Sequence, residues 1–255
     1  MAEIRTVITE GILPYIPVIE PLEIPANGIY SAPSGVDAYN PITVNVNPAF
    51  DLLYSNYKGA TDIKFPYPIT SRYGEIILVG GKLEAVWPTG LKYSIVQTKI
   101  PTDALSTNDI VGIYDNNRYA YKKFDSASTL TGINSEYYAS LFAVYGKRSD
   151  IMTQTTLFEN TEATNPSAIT LEHSIFDYDE VFITAKKTVD NDVYLASNSY
   201  VTGALDVNLS EASNMPNISV STDVDLTAYN ISSSTRLVRE RNGNLIIHKI
   251  IGVNY

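Results

Sequence analysis

The 255-residue chain has no cysteine and only two histidines, His173 and His248. The missing cysteine excludes disulfides, thiolate nucleophiles and zinc–thiolate sites. Two histidines leave little material for a catalytic triad or a zinc site, and we expect both to be surface residues. No apolar run approaches the roughly 20 residues of a membrane-spanning helix, so we expect no membrane insertion. The first residues, "MAEIRTVITEG", also lack the basic and apolar regions of a secretory signal.

Positive charge is scarce as well. The chain has 18 Lys and Arg against 28 Asp and Glu, for a net charge of −10. This balance argues against a nucleic-acid partner, because a phosphate backbone would be repelled. The sequence also contains neither G-x-x-x-x-G-K-[ST] nor G-x-G-x-x-G, the glycine patterns that hold phosphates. We therefore predict no nucleotide, and no other cofactor.

The carboxylates show no pattern that favours catalysis. The densest cluster is Asp177, Asp179 and Glu180, just before a predicted strand, where we expect turn and solubility roles rather than an acid–base pair. The loops "VDNDVY" (189–194) and "STDVDL" (221–226) lack the glycine and downstream Glu of an EF-hand. We predict no catalytic residue and no metal ligand, and the sequence leaves a structural Ca²⁺ in a β loop open.

Tyrosine is the residue in surplus, with 19 copies beside many Thr, Ser, Asn, Val and Ile. These types suit pleated, half-buried surfaces and polar turns, so the composition predicts an all-β fold. In residues 1–50, Pro14, Pro17 and Pro21 exclude an interior helix or a central strand. We interpret this segment as an extended arm followed by a small β motif. The arm's predicted attachment residues are Ile12, Leu13, Tyr15, Ile16, Val18 and Ile19.

The remainder shows a faint internal duplication. "LYSN" (53–56), "YGEIIL" (73–78) and "SLFAVYGK" (140–147) recur as "LFEN", "YDEVFI" and "IIHKIIGV", at separations of 104, 105 and 106 residues. The alternative to a duplication is chance similarity among β-strands, which resemble one another in sequence. The third pair decides an ambiguous segment, because "SEYYASLFAVYGK" also has helical spacing, whereas its counterpart is β-branched. We predict two tandem antiparallel β-sandwich modules, jelly-roll-like, over 51–149 and 150–255.

One aromatic-rich segment is a candidate contact surface. "GIYDNNRYAYKKF" (112–124) surrounds an Asn-rich turn with tyrosines. Aromatic faces stack on sugar rings, and Asn or Arg can hydrogen-bond sugar hydroxyls. The competing interpretation places these rings in the core or at a subunit interface. The predicted glycan or receptor contacts are Tyr114, Asn116, Asn117, Arg118, Tyr119 and Tyr121.

Two segments carry a resemblance to a known family. "IPANGIYSAPSGVDAYNPITVNVNP" (24–48) resembles a short β motif of tailed-bacteriophage structural proteins, I-T-x-N-G-T-Y…P-x-G-V-D-G-Y-x-P-V-T-V-N-V. The chain departs from the motif at Ile29 and Ala38, and neither change damages the predicted strands. The ending "NGNLIIHKIIGVNY" resembles the closing strand of phage tail-fibre and receptor-binding modules. The matching residues of the first segment are Ile24, Asn27, Gly28, Tyr30, Pro33, Gly35, Val36, Asp37, Tyr39 and 41–46.

The resemblance implies a virion surface protein assembled in the host cytoplasm. The arm would bind other virion proteins, and the modules would project to recognise host cell-wall polysaccharide or another surface receptor. Family members are commonly homotrimers. A capsid head fibre or decoration protein of the same architecture is the near alternative. A polysaccharide-degrading enzyme on a β scaffold is the alternative of another class, and a bacterial adhesin would need an export signal.

Overall fold

The computed structural model describes residues 4–7, 16–19, 29–32, 50–55, 62–86, 90–115, 118–133, 140–205, 216–222 and 225–255. These residues are nearly all β, which confirms the predicted fold class. They also form one short helix, α1 (Ile69–Arg72), and four 3₁₀ turns at Thr102–Ala104, Ser149–Ile151, Ile175–Asp177 and Thr202–Ala204. The strands are β1 (Ile4–Val7), β2 (Ile16–Ile19), β3 (Ile29–Ala32), β4 (Phe50–Ser55), β5 (Ile63–Lys64), β6 (Tyr73–Val86), β7 (Gly90–Pro101), β8 (Asp109–Asp115), β9 (Arg118–Ser126), β10 (Thr129–Gly132), β11 (Ser140–Arg148), β12 (Thr153–Glu159), β13 (Ala168–Thr170), β14 (Glu180–Val189), β15 (Asp192–Val201), β16 (Asn217–Ser221), β17 (Leu226–Ser233), β18 (Arg236–Arg241) and β19 (Ile246–Asn254).

The same strand order occurs twice along the chain. In the first half, β4–β11, one sheet runs β7-β6-β11-β4 and the other β8-β9-β10-β5. In the second half, β12–β19, the equivalent sheets run β15-β14-β19-β12 and β16-β17-β18-β13. The ambiguous segment of the sequence is the strand β11 over its described residues, Ser140–Arg148, as predicted. Each half is therefore an antiparallel sandwich of eight strands with identical topology.

Irregularities in the ladders repeat as well. Leu53 in β4 and Leu157 in β12 are each skipped in the pairing with the neighbouring strand. Phe142 in β11 and His248 in β19 are skipped in the same way. A β-bulge redirects side chains locally, so its recurrence at equivalent positions shows that both halves share backbone detail beyond strand order.

A single eight-stranded sheet joins the halves. Its order is β12-β19-β14-β15-β8-β9-β10-β5, and the joint is a short parallel pairing of β15 with β8. The central strand β14 is buried on both faces: Val181 and Ile183 belong to the core of the second half, whereas Phe182 belongs to that of the first. This explains why the run "VFI" (181–183) is continuously apolar rather than alternating.

Part of the N-terminal segment is also described. Strand β2 pairs with β1 as an antiparallel two-stranded sheet, with Pro17 opposite Thr6. Strand β3, which lies within the phage-like motif, pairs with β7 and extends the outer sheet of the first half. The predicted strand "ITVNVN" (42–47) lies outside the described residues. No helix in the described ranges has the length and apolar character needed to span a membrane.

Candidate functional site

A cleft opens where the two halves meet. Its cavity measures about 160 Å³, and both halves contribute to its wall. The joint between β15 and β8 crosses this region, with Tyr194 paired to Ile110. We call this cavity the junction cleft; its lining residues are Gln97, Thr98, Gly112, Tyr114, Tyr121, Tyr194, Leu195, Ala196, Ser197, Asn198, Ser221 and Thr222.

Tyrosine rings form one side of the junction cleft. Tyr121 stacks on Tyr119 with ring centroids 5.1 Å apart, and it meets Tyr194 edge-on at 5.4 Å. Gly112 lies opposite Tyr121 in the β8–β9 ladder, and a Cβ there would come within 2.4 Å of the Tyr121 ring. The missing side chain at residue 112 is what allows the ring to lie flat against the strand. The result is a rigid aromatic wall with few rotatable bonds.

Three polar atoms of residues that line the junction cleft have no hydrogen-bond partner among the described residues. Gln97 Oε1, Ser197 Oγ and Thr222 Oγ1 are each buried and make no hydrogen bond to the described residues. A buried polar atom without a hydrogen bond costs free energy, on the order of 1–3 kcal/mol in proteins. All three residues line the same cavity, which makes it the candidate binding site of the described residues.

The charge of the lining residues indicates which class of ligand the junction cleft can bind. The lining residues of the junction cleft include no Asp, Glu, Lys, Arg or His. Asn198 is already engaged, since its amide donates to Tyr200 Oη at 3.0 Å and to the Ser219 carbonyl at 3.1 Å. This amide therefore shapes the rim, while Gln97, Ser197 and Thr222 offer the free acceptors and donors. Such a wall suits an uncharged polyhydroxylated ligand.

Two of the six contact residues predicted from the sequence line the junction cleft. Tyr114 and Tyr121 line the junction cleft, and Tyr119 supports it through the stack on Tyr121. Arg118 is the first residue of β9, opposite Asp115, whereas Asn116 and Asn117 lie outside the described residues. Sequence reasoning missed the contributions of Gln97, Tyr194, Ser197 and Thr222. They come from three other strands or strand ends, and isolated polar residues in β segments give no local signal.

The predicted attachment residues are only partly described. Ile16, Val18 and Ile19 lie in β2, where Val18 pairs with Arg5 and Ile19 with Ile4. Ile12, Leu13 and Tyr15 lie outside the described residues.

A second polar centre was not predicted. Glu75 and Glu180 are 1% and 2% exposed, and the hydroxyl of Tyr255 donates to Glu180 and lies 3.4 Å from Glu75 Oε2. Lys99 Nζ lies 2.7 Å from Glu180 Oε1. The solubility role expected for Glu180 is therefore wrong, because the register of β14 turns this side chain inward. The signal was present in the duplication, which aligns Glu75 with Glu180.

The other predicted turn carboxylates have local structural roles. The Asp179 carboxylate accepts from the Tyr255 amide at 2.9 Å, and that of Asp225 accepts from the Lys187 ammonium. Asp190 and Asn191 have φ of 51° and 73° and form the two-residue hairpin between β14 and β15. Within the described ranges, no three His, Cys, Asp or Glu residues are placed to hold a metal ion.

The two histidines differ in environment. His173 is exposed, as expected. His248 is only partly exposed, so the prediction that it is a surface residue is only partly correct. Burial, together with the ammonium groups of Lys186 and Lys249, lowers the pKa of His248 to about 4. His248 is also the residue skipped in the pairing of β19 with β14.

No protein-family model matches the chain, and a comparison with curated proteins finds no match.

Proposed function

We propose that this chain is a bacteriophage virion structural protein, displayed on the particle surface in the manner of a tail fibre or receptor-binding protein, which recognises host cell-surface glycan. The observation that carries the binding function is the junction cleft. There, tyrosine rings line the same cavity as three buried polar atoms that make no hydrogen bond to the described residues.

A neutral sugar matches both walls of the cleft. A sugar ring has an apolar face that stacks on Tyr114 or Tyr121, and its hydroxyls both donate and accept. These hydroxyls can satisfy Gln97 Oε1, Ser197 Oγ and Thr222 Oγ1 together. The cavity of about 160 Å³ has room for a single sugar unit rather than a long chain. Binding at one site would be weak, and a homotrimer on a many-copied virion would strengthen it through multivalency.

The virion assignment is supported by a different part of the chain. Residues 24–48 resemble the phage structural motif, and β3 within this segment extends the sheet of the first half. The arm that precedes it is the proposed contact with other virion proteins. In this arrangement the N-terminal segment attaches, and the two sandwiches project the junction cleft toward the host.

The binding function is tested with the purified full-length chain against a panel of neutral bacterial cell-wall polysaccharides. We expect binding to at least one, weakened about tenfold by Tyr114→Ala, since an aromatic contact contributes roughly 1.4 kcal/mol. Thr222→Val should also weaken binding, by removing a hydroxyl that the sugar would use. The matched control is Thr170→Val, at an exposed position that lines neither cavity. Unchanged binding in both cleft variants would contradict this site.

The location is tested separately with gold-labelled antibody against the chain on intact phage particles. We expect label on the particle surface, and its position decides between tail and capsid. Particles without label would contradict the virion assignment and leave the glycan result standing.

A further inference from the structure

A second groove lies at one corner of the first half. It measures about 520 Å³, is open to solvent and is lined by Tyr67, Pro68, Ser71, Arg72, Arg148, Ser149 and Asp150. We call it the arginine groove. It shares no lining residue with the junction cleft, and two guanidinium groups border it on a protein whose net charge is −10.

Among the described residues, the Arg72 guanidinium has Asp51 and Tyr73 as polar partners, which leaves several of its donors unused. Arg72 Nη2 lies 3.4 Å from Asp51 Oδ2, an oxygen that already accepts the Tyr73 hydroxyl at 2.7 Å. The guanidinium also lies over the exposed Tyr67 ring, 4.1 Å from its centroid. Stacking fixes the plane of the group and leaves its edge free, and a guanidinium has five N–H donors. Arg72 is therefore fixed in position and has hydrogen-bond donors available to a ligand.

Arg148 is similar. Its Nε lies 3.4 Å from Asp150 Oδ1, but this nitrogen is buried and makes no hydrogen bond to the described residues. Asp150 is mostly exposed and is a weak competitor for the guanidinium, since exposed ion pairs contribute little. Ser71 and Ser149 add hydroxyls to the same groove, and the Ser149 hydroxyl donates to the Arg72 carbonyl at 3.1 Å.

The second half provides an internal comparison. The duplication aligns Arg72 with Asp177, because each lies three residues before the equivalent glutamate, Glu75 or Glu180. It aligns Arg148 with Asn254, because each lies two residues after the equivalent glycine, Gly146 or Gly252. At the equivalent place in the second half, Asn254 Nδ2 donates a hydrogen bond to the Asp177 carbonyl at 3.4 Å. The same topology therefore folds without an arginine at either position. The two guanidinium groups are not required by the scaffold, which leaves them available for a ligand.

We propose that the arginine groove binds the carboxylate of an acidic saccharide, a uronic acid unit. Arginine pairs with carboxylate through two parallel hydrogen bonds, and Arg72 and Arg148 bring two such groups to one groove. The uncovered part of the Tyr67 ring, which is 46% exposed, offers an apolar face for the sugar ring. Ser71 and Ser149 can hydrogen-bond its hydroxyls. This site does not depend on the function of the junction cleft.

The test uses the full-length chain and isothermal titration calorimetry with trigalacturonate, and with its methyl ester as the uncharged match. We expect trigalacturonate to bind and the ester to bind at least tenfold more weakly. Arg72→Gln and Arg148→Gln should each weaken trigalacturonate binding about tenfold or more, and raising NaCl from about 50 to 500 mM should weaken it further. Arg241→Gln, an exposed arginine of β18, is the matched control and should bind as the wild type does.

Three results would overturn the proposal: no binding of trigalacturonate, equal binding of acid and ester, or equal loss in Arg241→Gln and the groove variants. Amide chemical-shift mapping on the wild-type chain covers the case in which a variant fails to fold. Shifts must centre on residues 67–72 and 148–150, and a centre elsewhere contradicts the site. Loss of neutral-glycan binding in the junction cleft variants, with trigalacturonate binding intact, would separate the two sites.

Discussion

Glu75 and Glu180 occupy equivalent positions in the two halves of the chain, and the hydroxyl of the last residue, Tyr255, reaches both carboxylates. The two glutamates lie 105 residues apart, in "YGEIIL" and "YDEVFI". The duplication has therefore placed one buried carboxylate in each half, and the fold has brought the pair together. The Tyr255 residue is half exposed, although its hydroxyl meets two side chains that are almost fully buried.

The surroundings of the pair hold the two carboxyls in different states. Burial raises the pKa of Glu75 to about 7. Burial also acts to raise the pKa of Glu180, but the Lys99 ammonium at 2.7 Å holds it below the ordinary value. Lys147 lies 3.0 Å from the centroid of the Tyr255 ring and adds positive charge beside Glu75. A protonated Glu75 can donate to Tyr255 Oη while that hydroxyl donates to an ionised Glu180.

Substitution of Glu75 should change how stability depends on pH. The pKa of Glu75 is higher in the folded chain, about 7, than its ordinary 4.5, so folding favours the protonated form. Its contribution to stability is complete below pH 4.5 and is lost as the pH rises through 7, on the order of 3 kcal/mol in total. In Glu75→Gln this loss should disappear, and the free energy of unfolding should fall less between pH 5 and 8. Urea unfolding at four pH values measures it.

The control for this experiment is Glu162→Gln, a substitution of an exposed glutamate in the loop after β12. It should retain the wild-type pH slope. The same slope in Glu75→Gln as in the wild type would show that Glu75 is ionised in the folded chain above its ordinary pKa.

Two glycines that face tyrosine rings should not tolerate alanine. A Cβ on Gly146 would lie 2.6 Å from the Tyr73 ring, and one on Gly252 would lie 2.5 Å from the Tyr178 ring. Both contacts are too close, so Gly146→Ala and Gly252→Ala should each lower the free energy of unfolding by about 1–3 kcal/mol. Gly203→Ala is the control, because no atom lies within 4 Å of its Cβ position. Urea denaturation of the three variants compares them, and equal stabilities would refute the close packing.

The substitution Thr→Val should affect the free energy of unfolding differently at Thr227 and at Thr222. Thr227 Oγ1 donates to the Leu245 carbonyl at 2.8 Å and accepts from the Gly243 amide at 3.2 Å. Thr227→Val should therefore lower the free energy of unfolding by about 1–3 kcal/mol. Thr222 Oγ1 has no such partner among the described residues, so Thr222→Val should leave stability within about 0.5 kcal/mol of the wild type or raise it. Thermal unfolding checks both, and a large loss in Thr222→Val would mean that its hydroxyl is already bonded.

Much of the fold was predictable because it depends on local patterns. Alternating β-branched and aromatic residues predict strands wherever one face is buried, and the repeated "YGEIIL" and "YDEVFI" predicted the twofold repeat of the sheets. The positive-φ turn at Asp190 and Asn191 was less evident, since the prediction there considered a cation loop. Of the residues that line the junction cleft, the sequence pointed only to Tyr114 and Tyr121, because they lie close together in the chain with Tyr119.

The remaining features depend on contacts between distant residues. The sequence by itself determined that this is a β protein built of two similar halves with a surplus of tyrosine, since those properties follow from periodicity and composition. Only the tertiary structure decided that Gln97, Ser197 and Thr222 surround one cavity, that Arg72 and Arg148 border one groove and that Glu75 meets Glu180. The physical reason is register: a shift of one residue in a strand turns every side chain to the opposite face, and strand pairing across the chain sets that register.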